Sequence, residues 1–462
     1  MYRDIYGVKS HRVQAADKVI EIESKKCELA QMQRVKKMRP LSRVRDVAVV
    51  DDQHVIEMKR MSERGSKQHH SRQDQSGNHF HAIFAAPDYM QVAIIHDWLN
   101  GMRGGEKVLE ALLEVFPGAT IHTLFHEPGK VSSFIESHQI VTSPLNRIPW
   151  VYRYYRNLLP LFPAAIQSFD LAGFDLVISS SHAVAKGVLT ENSMHVCYCH
   201  TPMRYIWDAE KDYAFGPIQR IALNALRSRM RRWDCETAAH VDSFIANSQF
   251  VSNRIRWYYG RDAEVIHPPV DTAFFTPATA PDQTKRDDFY LAVGALVPYK
   301  RFDLIIEAFN LLGRNLVIAG AGPEMKKLQK IAKSTIDFRG HVSDDALRDL
   351  YRSAKALIVA AREDFGMSTV EAQSCGCPVI AFAAGGSAEI VHDGVNGILF
   401  EEQHADHIVR AVQRLDMTAW PAEQVRSQVE TFSRETFQNK IRRFIEERAD
   451  VRLGAISEFQ TA

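Results

Sequence analysis

Short apolar runs and longer amphipathic stretches alternate along most of the chain, beginning at Met90. The runs are rich in Val, Ile, Leu and Ala and are bounded by Gly, Pro or polar residues, which predicts buried β-strands. Stretches with helical spacing of apolar positions separate them, so the pattern predicts parallel sheets built from βαβ units. The runs lie at residues 91–96, 175–181, 195–200, 243–248, 289–296, 315–323, 336–342, 356–361 and 378–384.

A polar, proline-containing segment at residues 278–286 divides these runs into two sets. We therefore predict an α/β protein with two doubly wound, Rossmann-like domains, at residues 90–277 and 287–433. Ligands of open α/β sheets bind beyond the carboxyl ends of the strands. Two such sheets facing each other would place a binding site in the cleft between them.

The first 89 residues differ from the rest of the chain. Their periodicity is weak, and residues 62–79 are polar and rich in His and Gln, which predicts a disordered extension. The extension is basic, with 17 Lys and Arg against 12 Asp and Glu. The strand that begins at Met90 suggests that the working protein starts there, but helical spacing at residues 17–38 keeps a genuine extension open.

Composition is typical of a soluble globular protein, with 45% hydrophobic and 24% charged residues. No apolar stretch reaches the 18 residues of a membrane-spanning helix, and the N-terminus lacks the apolar segment of a signal peptide. Six sparse cysteines in apolar or turn contexts indicate free thiols in a reducing cytoplasm. The near-neutral net charge gives no sign of a nucleic-acid-binding protein.

The stretch AAREDFGMSTVEAQSCGCPVIAFAAGGSAEIVHDGVNGILF carries two glutamates, Glu363 and Glu371, eight residues apart around a Phe-Gly turn. A helix is predicted just after the turn, with Gly366, Met367 and Ser368 in its first turn. Unpaired N–H groups and the helix dipole favour a phosphate there. One carboxylate on each side of a diphosphate could bind the hydroxyls of a nucleotide sugar, whereas the alternative is a surface helix with solvated acids.

This stretch resembles the signature of retaining GT-B glycosyltransferases of family 4, and the resemblance extends from Met90 to about Val451. It implies that Glu371 binds the ribose and Glu363 the transferred sugar. It also implies that residues 90–277 form the acceptor-side domain, that residues 287–433 bind the nucleotide sugar, and that residues 434–451 return to the first domain.

Two glycine-containing loops match further parts of the family pattern. Gly104 and Gly105 lie in a loop that opens a helix after the first strand, where the family contacts the donor phosphate or the acceptor edge. Gly322 lies in a loop that resembles the one near the nucleotide base. Simple tight turns are the alternative, because glycine serves both uses.

Lys300 and Arg301 follow a predicted strand, where two cations would neutralise a departing diphosphate. The family has an arginine directly after the glycine of this motif, but here Ala295 follows Gly294, and Arg301 is the candidate replacement. Ordinary solvated residues at a helix start are the alternative. Because these cations and a helix N-terminus supply the positive charge, we expect no metal cofactor.

His200, at the end of a predicted strand, matches the family's histidine that contacts the donor sugar near the reacting centre. Topology directs His96 and Asp97 toward the cleft, without an assigned role. A buried structural histidine is the alternative for His200. The candidates for the acceptor side are His182, Arg204, Tyr205 and Trp207.

Two acid-free segments, residues 137–169 and 214–233, combine arginines with aromatic or apolar residues. Such segments suit an anionic membrane surface. The rival interpretation is a pair of core helices with a solvated basic edge, and no module for nucleic acid frames these residues.

Together these features predict retaining transfer of a hexose from a nucleotide sugar to a glycan or lipid-linked acceptor. The strings HDWLNGMRGGEKVLE and GALVPYKRFDL resemble mannosyltransferases of lipopolysaccharide and exopolysaccharide assembly, which implies GDP-mannose and a peripheral position on the inner face of the cytoplasmic membrane. The alternatives are a nucleotide-sugar epimerase of the same fold and an inactive binding subunit.

Overall fold

The computed structural model describes residues 90–190, 192–208, 217–278 and 286–460, with the side chains of 217–226 and 450–460 not described. The predicted N-terminal extension and most of the predicted linker lie outside these ranges. The domain boundaries therefore stay predictions.

Seven parallel strands form the first sheet, in the order β3-β2-β1-β4-β5-β6-β7. The runs predicted at 91–96, 175–181, 195–200 and 243–248 are all strands. The other three were missed because they are three or four residues long and carry little apolar pattern. The strands are β1 Val92–His96, β2 Thr120–Thr123, β3 Ile140–Thr142, β4 Leu176–Ser181, β5 Met194–Cys199, β6 Ser243–Ala246 and β7 Ala263–Val265.

Six parallel strands form the second sheet, in the order β10-β9-β8-β11-β12-β13. All five strands predicted in this half are present, and the pairing of β12 with β13 adds one at the edge. The strands are β8 Tyr290–Val293, β9 Leu316–Ala319, β10 Ile336–Gly340, β11 Leu357–Val359, β12 Val379–Phe382 and β13 Gly397–Phe400.

Helices connect the parallel strands and cover both sheets, as crossover connections require. Short 3-10 helices occur at Pro144–Arg147, Tyr155–Leu161, Ala185–Gly187, Pro298–Lys300 and Val429–Phe432. The α-helices are α1 Gly104–Val115, α2 Ser133–Glu136, α3 Val151–Tyr154, α4 Phe162–Ile166, α5 Arg204–Trp207, α6 Pro217–Ala238, α7 Gln249–Tyr259, α8 Phe302–Leu312, α9 Met325–Ile331, α10 Asp344–Ser353, α11 Met367–Ser374, α12 Ser387–Ile390, α13 Ala405–Asp416, α14 Ala422–Arg426 and α15 Arg434–Gln460.

The last helix packs against the first sheet although it follows the second sheet in sequence. Phe437, Ile441 and Phe444 are buried in the same cluster as Ile94 of β1. Helix α15 also contacts α1, where Arg434 binds Glu114 at 2.7 Å. The chain therefore crosses between the two sheets twice.

A buried ion pair joins the 3-10 helix Ala185–Gly187 to α6 in the first domain. The Lys186 ammonium binds the Asp234 carboxylate at 2.7 Å, and both side chains are almost wholly buried. Asp234 also accepts hydrogen bonds from the Trp207 indole at 2.6 Å and the Tyr259 hydroxyl at 2.8 Å. Since a buried charge must be paired and hydrogen-bonded, this network fixes the segment that leads to Trp207.

Four of the cysteines follow the expectation of free thiols. Cys197, Cys199, Cys375 and Cys377 are buried and free. Within the described ranges, the helices are too short or too polar to cross a bilayer.

Candidate functional site

The carboxyl ends of the two sheets meet at a cluster of contacts around Asp364, on the loop after β11. Its carboxylate binds the Arg204 guanidinium at 2.7 Å and accepts a hydrogen bond from the Thr201 hydroxyl at 3.1 Å. Its backbone carbonyl accepts the Ser248 hydroxyl at 2.5 Å. The three partners belong to the first domain, so Asp364 joins the two domains directly beside the predicted site.

A second contact between the domains is a helix cap. The Glu389 carboxylate accepts the backbone N–H groups of Gln249 at 2.8 Å and Phe250 at 2.7 Å, in the first turn of α7. These N–H groups have no partner within the helix, and negative charge is favourable at a helix N-terminus. A carboxylate of the second domain therefore caps a helix of the first.

Helix α11 begins where the sequence predicts. Gly366 is its N-cap with φ +105, a left-handed conformation that favours glycine, and Met367 and Ser368 form its first turn. Glu371 lies one turn inside and Glu363 lies on the preceding loop. The two glutamates therefore flank the helix start in the chain, and their placement on opposite sides of a bound diphosphate stays a prediction.

Close backbone packing holds the loop of Glu363 in place. A Cβ at Gly385 would lie 2.4 Å from the Glu363 carbonyl oxygen, and the next residue, Gly386, donates its N–H to that oxygen at 2.9 Å. Only glycine permits this approach. The Gly-Gly turn of the signature is thus a support for Glu363.

Glu371 is buried, and the Tyr351 hydroxyl donates to its carboxylate at 3.2 Å. Burial raises the pKa of Glu371, although Lys107 and the Tyr351 hydrogen bond act in the opposite direction. The carboxylate is therefore held in a site where its charge is poorly compensated.

Lys300 and Glu363 form an ion pair at 2.6 Å between Nζ and Oε1. Burial by itself would lower the pKa of Lys300, but Glu363 and Tyr299 outweigh it and the pKa is raised. Lys300 therefore stays charged throughout the physiological range. The pair places a cation and a hydrogen-bond acceptor together beside the start of α11.

Arg301 does not join Lys300. Its backbone is left-handed, with φ +56, and its guanidinium binds Asp303 at 3.0 Å. Lys300 turns toward Glu363, whereas Arg301 faces a cleft of about 470 Å³ between the domains. The structure therefore separates the two cations that the sequence analysis had paired.

This cleft is strongly charged. Its formal charge is positive, because five cations face three acids, and Arg362 has no carboxylate partner within the described part of the chain. Arg204 lines the same cleft, and its predicted contact with an acceptor stays a prediction. The charged lining residues are Arg204, Arg254, Arg301, Arg362, Lys327, Asp208, Asp303 and Glu324.

The glycine loop of the first domain lies against the second domain. A Cβ at Gly104 would lie 2.7 Å from the Met367 sulfur, across the cleft. A Cβ at Gly105 would lie 3.4 Å from His96 and 3.9 Å from His200. The loop therefore brings the start of α11 and the two histidines within one small region.

His200 directly follows β5 and lies half-buried in this region. The Ser180 hydroxyl is 2.8 Å from its Nε2 atom, and Asn247 donates to its backbone carbonyl at 2.9 Å. Burial, together with the neighbouring His182 and His96, lowers the pKa of His200 well below its usual value. The ring is therefore a neutral imidazole at physiological pH.

Asp97 stabilises the loop that follows β4. Its carboxylate accepts the four successive backbone N–H groups of residues 182–185 at 2.7–2.9 Å, and it lies 3.1 Å from the His182 ring. Burial lowers the pKa of His182, with Asp97 acting against it. Asp97 thereby fixes the loop that carries His182 beside His200, whose ring centroid is 6.3 Å away.

Three residues that were predicted to contact the acceptor or the nucleotide base are instead packed against other parts of the protein. Trp207 is buried against Asp234, and Tyr205 packs against the first core, where burial raises its pKa. Gly322 packs on the Leu296 backbone, because a Cβ there would lie 2.4 Å from the Leu296 carbonyl oxygen. Their predicted contacts with acceptor or base stay predictions, and their placement favours packing roles.

Sequence reasoning missed three residues of the site, which are Asp364, Arg362 and Ser180. Asp364 stands between the two signature glutamates and Arg362 just before them, but neither has a periodic or spacing signal of its own. Ser180 was one of three consecutive serines at the end of a strand. Only the alternation of side chains along β4 would have directed it to the face of His96.

Comparison with known proteins agrees with this geometry. Residues 102–274 match the family described as Glycosyltransferase Family 4, and residues 279–417 match the family described as Glycosyl transferases group 1. The chain carries two glycosyltransferase domains. The first is family 4-like and contains the glycine loop and His200, whereas the second is a group 1 domain and contains Lys300, Glu363 and Glu371.

Curated relatives match parts of these glycosyltransferase domains. An uncharacterized glycosyltransferase of Methanocaldococcus jannaschii is 36% identical over 133 residues, which are 28% of this chain and 38% of that protein. A D-inositol 3-phosphate glycosyltransferase of Streptomyces bingchenggensis is 31% identical over 208 residues, 38% of this chain and 45% of that protein. The matches thus span less than half of the length of these relatives.

Among solved structures, Alr3699/HepE of Anabaena in complex with UDP and glucose is similar, with a TM-score of 0.56 and 17% identity. The similarity covers 78% of this chain and the whole of that one. It shows the fold alone. The predicted GT-B architecture, with two Rossmann-like domains, is confirmed by this similarity and by the two parallel sheets.

The raised pKa of Glu371 predicts that this residue lowers stability as the pH rises. The folded state binds the Glu371 proton more tightly than the unfolded state, whose pKa is near 4.5, so stability is lost as the pH rises through the folded pKa. Without ligand, Glu371→Gln should therefore unfold at higher urea concentration than the unmodified protein at pH 8.

This advantage should shrink toward pH 4, where the carboxyl is protonated in both states. Glu401→Gln, at an exposed position of the same domain, is the control and should show no such dependence. An equal advantage of Glu371→Gln at both pH values would show that its charge is not the cause.

Proposed function

We propose that this protein transfers a hexosyl group from a nucleotide sugar to an acceptor hydroxyl, with retention of configuration. The observation that carries the proposal is the arrangement around the start of α11. There Glu371 and the Lys300–Glu363 pair of the group 1 domain lie opposite the glycine loop and His200 of the family 4-like domain. A diphosphate-linked ligand has complementary groups at each of these points.

The donor would lie along α11. Its ribose hydroxyls would bind Glu371, its diphosphate the N–H groups at Gly366–Ser368 and Lys300, and its hexose Glu363. In the ligand-free protein Glu363 balances Lys300, so the ion pair holds the cation in place before the phosphate arrives. Charge on the leaving diphosphate grows as the glycosidic bond breaks, so Lys300 would stabilise the transition state more than the ground state.

Retention would follow from attack on the same face of the sugar, assisted by the departing phosphate. Glu363 is engaged by Lys300, which suits binding of sugar hydroxyls better than nucleophilic attack. We propose metal-independent transfer, since Lys300 and the helix start occupy the place where Mg²⁺ would otherwise neutralise a diphosphate. Activity that survives EDTA treatment would support this part of the proposal.

GDP-mannose is the donor that the sequence resemblance favours, and lipopolysaccharide or exopolysaccharide assembly the process. The similar Anabaena protein was solved with UDP and glucose, so uridine donors belong in the same test. An epimerase of the same fold would convert a donor without any acceptor. An inactive subunit would bind a donor without turnover.

The acceptor proposal rests on the positive cleft between the domains. It adjoins the Lys300–Glu363 pair through Tyr299 and Arg362, so an acceptor lying there would reach the hexose. Arginines recognise phosphate and carboxylate with paired hydrogen bonds. We therefore propose an acceptor that carries a phosphate or carboxylate group, as the substrate of the similar D-inositol 3-phosphate glycosyltransferases does according to their name.

The membrane proposal rests on the two basic segments of the first domain. Trp150 is 69% exposed and Leu161 49% exposed, and the Arg153 guanidinium lies 4.9 Å from the Trp150 ring. The 3-10 helix Tyr155–Leu161 packs against α6, so the two basic segments are neighbours. Phe162 is buried in the first core, as the rival interpretation requires. The exposed side of these segments carries Trp150 and the arginines, and such a surface suits an anionic bilayer.

Donor binding is the first test. Purified protein should be stabilised against heat by one nucleotide sugar from a panel of GDP and UDP donors, and calorimetry should then give its affinity. Glu371→Ala should weaken that affinity by about 1.5–3 kcal/mol, because hydrogen bonds to a charged group are lost. Glu402→Ala is the matched control, and an unchanged affinity in Glu371→Ala would remove Glu371 from the site.

Acceptor charge is the second test. Arg362→Gln should reduce kcat/KM for a phosphorylated acceptor by roughly 10–100-fold and leave an unphosphorylated acceptor and donor affinity unchanged. Arg410→Gln, another exposed arginine of the same domain, is the control. An equal loss with both kinds of acceptor would contradict an anionic acceptor in the cleft.

Membrane binding is the third test. Each near-surface cation contributes about 1 kcal/mol, so replacing Arg153, Arg156, Arg229 and Arg232 by Gln should weaken binding to phosphatidylglycerol vesicles by roughly two to three orders of magnitude at low salt. Binding should also become less salt-sensitive, and donor affinity should be kept.

The control for vesicle binding makes the same change in net charge elsewhere. It replaces Arg339, Arg410, Arg442 and Arg443 by Gln. Equal vesicle binding by the two quadruple variants would show that the arginines of the basic segments do not bind the membrane and are only exposed to water.

A further inference from the structure

Ser180 bridges two histidine rings at the carboxyl end of the first sheet. Its hydroxyl oxygen lies 3.1 Å from Nδ1 of His96 and 2.8 Å from Nε2 of His200. His96 and Ser180 are direct neighbours in the register of β1 and β4, and His200 follows the end of β5. The topology thus aligns the three side chains as a continuous hydrogen-bonded row.

A hydroxyl group donates one hydrogen, so the row has a direction. If Ser180 donates to His96, it must accept from His200, whose Nε2 then carries a hydrogen. If Ser180 donates to His200, His96 must donate to Ser180. The group at the far side of His96 therefore decides which nitrogen of His200 is protonated.

Glu106 is that group. Nε2 of His96 is sealed from solvent without a hydrogen-bond partner within the described residues, and the Glu106 carboxylate lies 3.9 Å from it. Burial by itself would raise the pKa of Glu106, but His96 and Arg103 outweigh burial and the pKa is lowered. Although 3.9 Å is too long for a hydrogen bond, the negative charge of Glu106 favours a hydrogen on Nε2 of His96, and Nδ1 can then accept from Ser180.

The other ring nitrogen of His200, Nδ1, lies at the open end of the row. It has no hydrogen-bond partner within the described part of the chain, and it is not among the buried polar atoms. With a hydrogen on Nε2, a neutral His200 offers a lone pair at Nδ1. It can then accept a hydrogen bond from a hydroxyl group in the cleft.

We propose that Glu106, His96 and Ser180 are positioning residues that fix His200 in its Nε2–H form, so that Nδ1 accepts from a sugar hydroxyl. The proposal rests on the proposed function, because that function supplies the sugar. It assigns no proton transfer to the row. Its effect is that Nδ1 of His200 is already a hydrogen-bond acceptor before the substrate binds.

Glu106→Gln is the decisive variant. Gln keeps one oxygen, which can still accept from the Arg103 backbone N–H as Glu106 does at 2.9 Å, and can turn its amide NH₂ toward His96. Nε2 of His96 then accepts, Nδ1 donates, and Ser180 must donate to His200. The hydrogen of His200 should move from Nε2 to Nδ1.

The measurement is NMR of the full chain labelled with ¹⁵N-histidine, because protonated and unprotonated ring nitrogens have separate shifts. Signals are assigned from His96→Gln and His200→Gln. We expect Nε2–H for both rings in the unmodified protein and Nδ1–H for both in Glu106→Gln. In Glu106→Gln with Ser180→Ala the row is broken, and His200 should return to Nε2–H while His96 stays Nδ1–H.

Ser179→Ala is the matched control, since Ser179 lies on the opposite face of β4 and makes its own hydrogen bond with His195 at 2.9 Å. It should leave the His200 signals unchanged. In transfer assays, Glu106→Gln should lower kcat/KM about tenfold, the equivalent of one misdirected hydrogen bond, and Ser179→Ala should not.

Unchanged His200 signals in Glu106→Gln, or a shift that persists in the double variant, would overturn the proposal. A protein without transfer activity but with the expected NMR changes would refute the proposed function and leave the row intact. The two failures are therefore distinguishable.

Discussion

The contact of Asp364 with Arg204 and Thr201 is the interaction on which the site depends. It joins the carboxyl end of one parallel sheet to that of the other, and Glu389 reinforces it by capping α7. Because residues on loops inherit their positions from the strands, this junction places the glycine loop and His200 opposite α11. Without it, each domain would carry half of a site.

Charge in the site is arranged as pairs that a ligand can use. Lys300 is held by Glu363, and Glu371 has one hydrogen bond from Tyr351 while burial disfavours its charge. Buried charges are costly unless they are paired, and these contacts hold the charged groups in place at the site. A nucleotide sugar would offer hydrogen-bond partners to these buried charged groups, so the cost of burying them would be offset on binding.

Much of the fold could be predicted because its signals are local. Apolar runs indicated nine of the thirteen described strands, and the four missed strands are only three or four residues long. The start of α11 at Gly366 was also predictable, since a Phe-Gly turn before a helical pattern has few other interpretations. The site was predicted less well, because Arg301 turns to Asp303 and Trp207 is buried against Asp234.

By itself, the sequence determined the alternation of strands and helices, the division into two parallel sheets and the positions of the two glutamates around one helix start. These follow from periodicity and spacing within some ten residues. The tertiary structure alone decided which charges meet, because Lys300 and Glu363 are 63 residues apart in the chain and Thr201 and Asp364 are 163 apart. It also brought together the groups that we propose to set the direction of hydrogen bonding at His200, since Glu106 of α1, His96 of β1 and Ser180 of β4 meet only in the folded domain.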